Sequence, residues 1–359
     1  MTGPSLSVAR TPPRRRAGLF PAALGLAVLI LGLSFTAAVS VGAVPVAAKT
    51  VWGVIADRLL PGLVETAWPA GHEAIIWELR VPRTILAGLV GAGLALVGAG
   101  LQAVTRNALA DPHLLGISSG GAFGATTALL HTGLILGLAT VPLFAFAGAL
   151  CAMALVLGVA RLADAASAER LVLAGVAVSF VVMAGANVMI FLGDPRASHM
   201  VIFWMLGSLG LAQWSQLVFP ALALAVSGAW LWRRAQDLDA MTIGDESAAT
   251  LGIPVARFRL EVFVAGALLT GTMVAFSGVI GFVGLMVPHV ARLMVGGGHA
   301  RVLPLSALLG AVFLIWCDLL SRTVMAPQDM PIGVVTGLVG GLFFVWLLGR
   351  RQGGAPRRA

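Results

Sequence analysis

The chain has 359 residues, 59% apolar and 11% charged, with a formal net charge of +8 at pH 7 and a mean hydropathy of +0.98. A soluble domain carries about 25% charged residues, so this composition excludes a water-coated globule and describes a membrane domain with little soluble mass. The basic excess does not signal nucleic acid, because the arginines flank apolar runs instead of forming a stripe.

The first element follows a Pro-, Ser- and Arg-rich stretch, residues 1–18, that reads as a disordered cytoplasmic N-terminus. The apolar run from Leu19 to Val44 is 26 residues long, whereas a signal-peptide core is about 7–15. It is therefore expected to stay as a first span. Apolar windows bounded by polar or Pro/Gly breaks continue at 84–105, 114–133, 141–160, 171–192, 217–232, 260–276, 279–295, 303–321 and 332–349. The sequence thus predicts an all-α polytopic membrane protein of about ten transmembrane helices. One transmembrane domain covers 19–349, and a basic cytoplasmic tail covers 350–359. Cys151 and Cys317 both fall inside apolar windows and read as structural thiols.

Charge sets the orientation. With the N-terminus inside, 17 of the 23 basic residues lie on cytoplasmic ends and loops, and both termini are cytoplasmic. Lys49, Arg58, Arg80, Arg83, Arg196 and Arg322 are left outside. A faint internal repeat, Ala95-Leu-Val-Gly98 against Ala275-Phe-Ser-Gly278, is followed in each copy by a proline-containing break, at Pro112 and Pro288. Five spans separate the copies, so they run in opposite directions, the pattern of an inverted repeat. Shared small-residue packing would give a similar signal.

Ionisable groups are scarce within the spans. Asp318 stands four residues before Arg322, a spacing that puts the two on one helix face as an ion pair. With no proton or sodium relay in view, a secondary carrier using Asp318 as its proton site is the weaker alternative. There is no Walker A motif, and the only lysine is Lys49. Any ATPase that drives the chain must then be a separate subunit. The largest cytoplasmic loop, 235–259, has the form of two short amphipathic helices hinged at Gly244. The second is entered through Asp245 and closed by Gly252 and Pro254. Such a compact segment suits insertion into a partner's groove.

From Arg80 to Leu348 the chain resembles the permease family of ABC importers for cobalamin, iron-siderophores and heme. Four stretches carry the likeness: RVPRTILAGLVGAGLALVGAGLQAVTRNALADPHLLGISSGGAFGA (80–125), GDESAATLGIPVARFR (244–259), SGVIGFVGLMVPHVAR (277–292) and MPIGVVTGLVGG (330–341). The resemblance implies a homodimer around one central pathway in a bacterial inner membrane. It also implies two ABC ATPase subunits, which hold ATP and Mg, and a periplasmic binding protein. The chain itself would not be an enzyme and would bind no metal or covalent cofactor.

Roles carry over by position. Gly244, Asp245, Glu246, Ser247, Ala248, Leu251 and Gly252 match the ATPase-coupling segment. Arg80, Arg83 and Arg322 match the arginines that receive acids of the binding protein; the guanidinium fork suits carboxylates. Asn107 and Leu109 match the cytoplasmic gate. The chain departs from the cobalamin branch at Ala168 and Glu169, where that branch has small hydroxyl residues at the inner gate. FWMLGSLGLAQW (203–214) and MAPQDMPIG (325–333) look closest to the heme branch. Heme is then the favoured cargo, with a ferric siderophore or cobalamin as alternatives. Met189, Met200, Trp204 and Met205 are the pathway candidates, apolar and polarisable enough for a flat porphyrin.

Overall fold

The computed structural model describes residues 18–62, 68–112, 116–162 and 168–352. Most of the N-terminal segment 1–18 and of the tail 350–359 lies outside the described residues. Every regular element among those described is helical. Chain order gives α1 (Phe20–Ser40), α2 (Ala48–Leu59) and α3 (Ala70–Ala74). A π-helical stretch, Ile75–Arg80, then runs straight into α4 (Val81–Thr105). There follow α5 (Ile117–Thr127), α6 (Thr140–Leu162), α7 (Ala168–Leu192), α8 (Pro195–Met205) and α9 (Val218–Arg233). The chain continues through α10 (Ala235–Ile243), α11 (Asp245–Thr250), α12 (Val255–Ser277) and α13 (Val283–Val295). It closes with α14 (His299–Thr323) and α15 (Ile332–Gln352).

Among the described residues, seven helical stretches are long and apolar enough to cross a bilayer, and α13 and Ile332–Leu347 of α15 are shorter apolar helices. The surface is itself apolar: Leu29, Phe180, Phe191, Leu222 and Val345 are all exposed. A fold that turns large apolar side chains outward is solvated by lipid tails, where helices satisfy every backbone group internally.

The centre of the fold is α4, buried along most of its length. Its small residues let other helices approach backbone to backbone. A methyl group added at Gly91 would strike the carbonyl of Gly310 on α14, and one at Gly98 would strike that of Gly284 on α13. A second seam joins α5 to α6, where Gly120 and Gly148 face each other.

Two elements differ from the sequence expectation because they are amphipathic. In α2, Val51 and Val54 are buried beside Val39, Val46, Ile76 and Val81, while Lys49 and Asp57 lower the mean hydropathy below that of a span. The start of α8 is fixed by the Asp194 carboxylate, which accepts from the Arg196 amide at 2.9 Å, with Pro195 at the first helical position. The window expected at 279–295 is helical only from Val283. Gly278 and Phe282 both have positive φ, 67° and 70°, and Gly278 packs directly against the Trp204 carbonyl, where a side chain would not fit.

Candidate functional site

The segment between α9 and α12 forms the two short helices expected, with Gly244 at φ 152° between them. Two amide bonds seal the end of α11: Gly252 donates to Ala249 at 2.9 Å and Ile253 to Ala248 at 3.1 Å. With Gly252 at φ 82°, this is a Schellman closure. Ala248 points inward and is fully buried, packed in the core with Leu238, Met241 and Phe258. Ile243, Glu246, Leu251 and Gly252 face out, Ile243 and Leu251 being 72% and 68% exposed. The outer face thus carries two large apolar side chains, Ile243 and Leu251, among polar ones, on an inner face that anchors it.

Asp245 opens α11 and is held by two arginines. Arg259 on α12, only 2% exposed, donates from Nη2 to both carboxylate oxygens, at 2.9 and 2.8 Å. Its Nε donates to the Val104 carbonyl at the end of α4, at 3.2 Å. Arg106, the left-handed residue that ends α4 (φ 50°), lies 3.5 Å from the same carboxylate. Next in the chain, the Asn107 side chain accepts from the Leu109 amide at 2.9 Å, an Asx turn that leaves Asn107 and Leu109 exposed. The coupling candidates and the gate candidates therefore meet at one cluster. Sequence reading had used Arg106 and Arg259 only as orientation charges.

A second tether fixes α10. Asp239 Oδ1 accepts from the His299 amide at 2.8 Å and lies 2.5 Å from His299 Nδ1, so a carboxylate caps the N-terminus of α14. Within the fold, Gln102 of α4 donates to the Gly284 carbonyl at 3.0 Å and accepts from Arg292 at 2.7 Å, tying α4 to both ends of α13.

The three arginines proposed for docking do converge, around the C-terminal end of α1. Arg80 is 7% exposed and donates to the carbonyls of Val39, Ser40 and Val44, at 2.8, 3.2 and 2.6 Å. Arg322 donates to the Ala38 carbonyl at 2.9 Å and, as its spacing predicts, pairs with Asp318 at 3.0 Å. Arg83 bridges Asp318 at 2.8 Å and Asp329 at 2.6 Å. Asp318, 1% exposed, is thus engaged by two guanidiniums. Asp329 is the member that no local spacing reveals, because it lies 246 positions from Arg83.

The pathway candidates are spread over α7 and α8. Met189 is half-buried, with its sulfur 3.7 Å from the Thr127 hydroxyl. Met200 is 55% exposed, and Trp204 packs near Ala125, Ala145 and Ala275. Met205 is half-buried. An apolar groove of about 410 Å³ opens instead between α5, α6 and α7, lined by Phe123, Phe144, Val181 and the glycines Gly120, Gly124 and Gly185. Glu169 is exposed at the start of α7. Ala168 begins that helix, and residues 163–167 before it lie outside the described residues.

Comparison with known proteins adds to this geometry. Residues 29–350 match the FecCD transport family. The chain is 34% identical to the hemin transport system permease protein HmuU of Yersinia pestis, over 92% of this chain and 96% of that one. It is 36% identical to the vitamin B12 import system permease protein BtuC of Vibrio cholerae, over 80% and 86%. It is 38% identical to the Fe(3+) dicitrate transport system permease protein FecD of Escherichia coli, over 80% and 89%. A solved metal-chelate type ABC transporter in an inward-facing conformation superposes with a TM-score of 0.78 at 29% identity, covering 92% of this chain and 99% of that one.

Proposed function

The chain belongs to the FecCD transport family and is a membrane permease of an ABC importer, and from that premise we propose that it carries heme inward as one half of a homodimer. The reading of heme rests on the extent of likeness, since the hemin permease aligns over 92% of this chain at 34% identity and the cobalamin permease over 80% at 36%. The aromatic and thioether side chains on α7 and α8 suit a flat apolar ring. ATP hydrolysis belongs to separate subunits, as in the family.

In this reading ten helices span the membrane: α1, α4, α5, α6, α7, α9, α12, α13, α14 and α15. Both termini are cytoplasmic by the positive-inside rule. Two helix–break–helix units, α4 with α5 and α12 with α13, form the cores of an inverted repeat. Ile243, Glu246, Leu251 and Gly252 contact the ATPase, Gly244, Asp245 and Ser247 shape the approach, and Ala248 supports it from beneath. Asn107 and Leu109 line the dimer axis at the cytoplasmic gate. On the opposite face Arg83 and Arg322 receive acids of a periplasmic binding protein, while Arg80 holds the α1 end in place beside them. The engagement of Asp318 by two arginines speaks against a proton-carrier role.

The deciding experiment is uptake into vesicles holding the permease with its ATPase and binding protein, offering heme, a ferric siderophore and cobalamin. ATP-dependent heme uptake that survives a protonophore is expected. Uptake of cobalamin or the siderophore without heme would replace the cargo, and gradient-driven uptake without ATP would sink the importer reading.

A further inference from the structure

Arginines that receive a partner's acids need N–H donors to offer, and in this chain two of the three guanidinium nitrogens of Arg83 are already engaged. Its Nε donates to Asp318 at 2.8 Å and its Nη1 to Asp329 at 2.6 Å. The two acids are not equivalent. Asp318 is 1% exposed on α14 and shared with Arg322, so removing it from Arg83 would strand buried charge. Asp329 lies in the non-helical stretch between α14 and α15 with its side chain 36% exposed. Its ion pair among the described residues is with Arg83. Releasing a carboxylate that is already more than a third exposed costs less than releasing the buried Asp318. Gly210 borders the pair: a Cβ there would sit 3.5 Å from Ser208 Oγ, 3.7 Å from Arg83 Nη1 and 3.9 Å from Asp329 Oδ2, in ordinary contact with all three.

We infer that Asp329 stands in for a partner's carboxylate, so that the docking face is closed on itself until an acidic residue of the binding protein displaces Asp329 from Arg83. The inference rests on the docking role proposed above for Arg83. The exchange is carboxylate for carboxylate, so Arg83 keeps its charge-assisted bonds throughout. Arg83 and Arg322 are matched by Asp318 and Asp329 at rest. A partner's apparent affinity is reduced by the fraction of time the face is closed.

The test uses the full permease–ATPase complex in nanodiscs at low salt, with a decaglutamate peptide as the carboxylate probe and phenylglyoxal as a probe of guanidinium access. Asp329→Asn should speed phenylglyoxal modification of Arg83, read by peptide mapping, and tighten decaglutamate binding by about threefold to tenfold. Adding Arg83→Gln should abolish that gain. Asp329→Ser repeats the measurement if the Asn variant does not assemble. Unchanged modification and binding in the Asp329 variants, with Arg83→Gln alone still weakening decaglutamate binding, overturns the inference and leaves the docking role intact. If Arg83→Gln has no effect in either background, the docking role itself falls, and the inference with it.

Discussion

Arg259 holds both carboxylate oxygens of Asp245, at 2.9 and 2.8 Å, and with its Nε binds the Val104 carbonyl at 3.2 Å. One buried side chain therefore joins the first residue of α11 to the last turn of α4. A push on α11 has a stiff route to the turn that carries Asn107 and Leu109, because the guanidinium is planar and bonded on two edges.

Replacing Arg259 by Gln should break that route. Removing one partner of a buried pair costs about 3–5 kcal/mol, and the half-exposed Asp245 puts the loss toward the low end. The expected result is a permease that still assembles at reduced thermal stability and hydrolyses ATP with little transport per ATP. Arg106→Gln, at a longer contact of 3.5 Å, should do less. Wild-type transport per ATP in an assembled Arg259→Gln complex would show that the clamp is structural only.

The outer face of α11 should govern assembly. Ile243→Asp with Leu251→Asp places charge where the exposed apolar pair meets the ATPase and should lower co-purification of the ATPase by about tenfold, the loss of one buried apolar side chain or more. The isolated permease should melt as before, since both side chains already face outward. Ala248→Leu should do the reverse and destabilise the permease itself by overpacking. Retention of the ATPase by the double Asp variant would move the contact elsewhere.

Helix seams make a sharper stability prediction. Gly91→Ala and Gly98→Ala each force a methyl into a facing backbone and should cost about 1–3 kcal/mol. Gly25→Ala and Gly32→Ala on α1 meet nothing within 4 Å and should leave melting in detergent unchanged. Equal effects in the two groups would mean that the close approaches do not limit stability.

The gate assignment predicts a cross-link. Cysteine at Leu109, 59% exposed in the single chain, should join its symmetry mate through a short bifunctional thiol reagent in the assembled dimer. Nucleotide bound to the ATPase should change the yield. Labelling of that cysteine by a lipid-soluble reagent alone would place it against the bilayer.

Much of this was legible in the sequence because the bilayer demands long apolar helices, and seven of the predicted windows hold one among the described residues. The hinge at Gly244 was legible for a local reason: a glycine followed by Asp, then Gly and Pro, marks the ends of a short helix. The Asp318–Arg322 pair was legible from its four-residue spacing. What escaped was amphipathic or distant. α2 and α8 bury only one side, so hydropathy windows pass over them. Asp245–Arg259, Arg83–Asp329 and Asp239–His299 join elements that only tertiary packing brings together, and no periodicity encodes them. The glycine-floored groove between α5, α6 and α7 left only the Gly120-x-x-x-Gly124 spacing as a trace.

Arg80 and Arg83 lie on neighbouring turns, yet synthesis completes their contacts at very different times. Arg80 finds its acceptors at the end of α1 and just beyond it, 41 positions or fewer behind it, so the first hairpin can lock while the ribosome is still at work. Arg83 must wait for Asp318, 235 positions later. Throughout that interval a nascent chain carries a guanidinium with its counterion not yet made. Chains cut before α14 should therefore be caught by membrane quality control with Arg83, not Arg80, as the exposed fault.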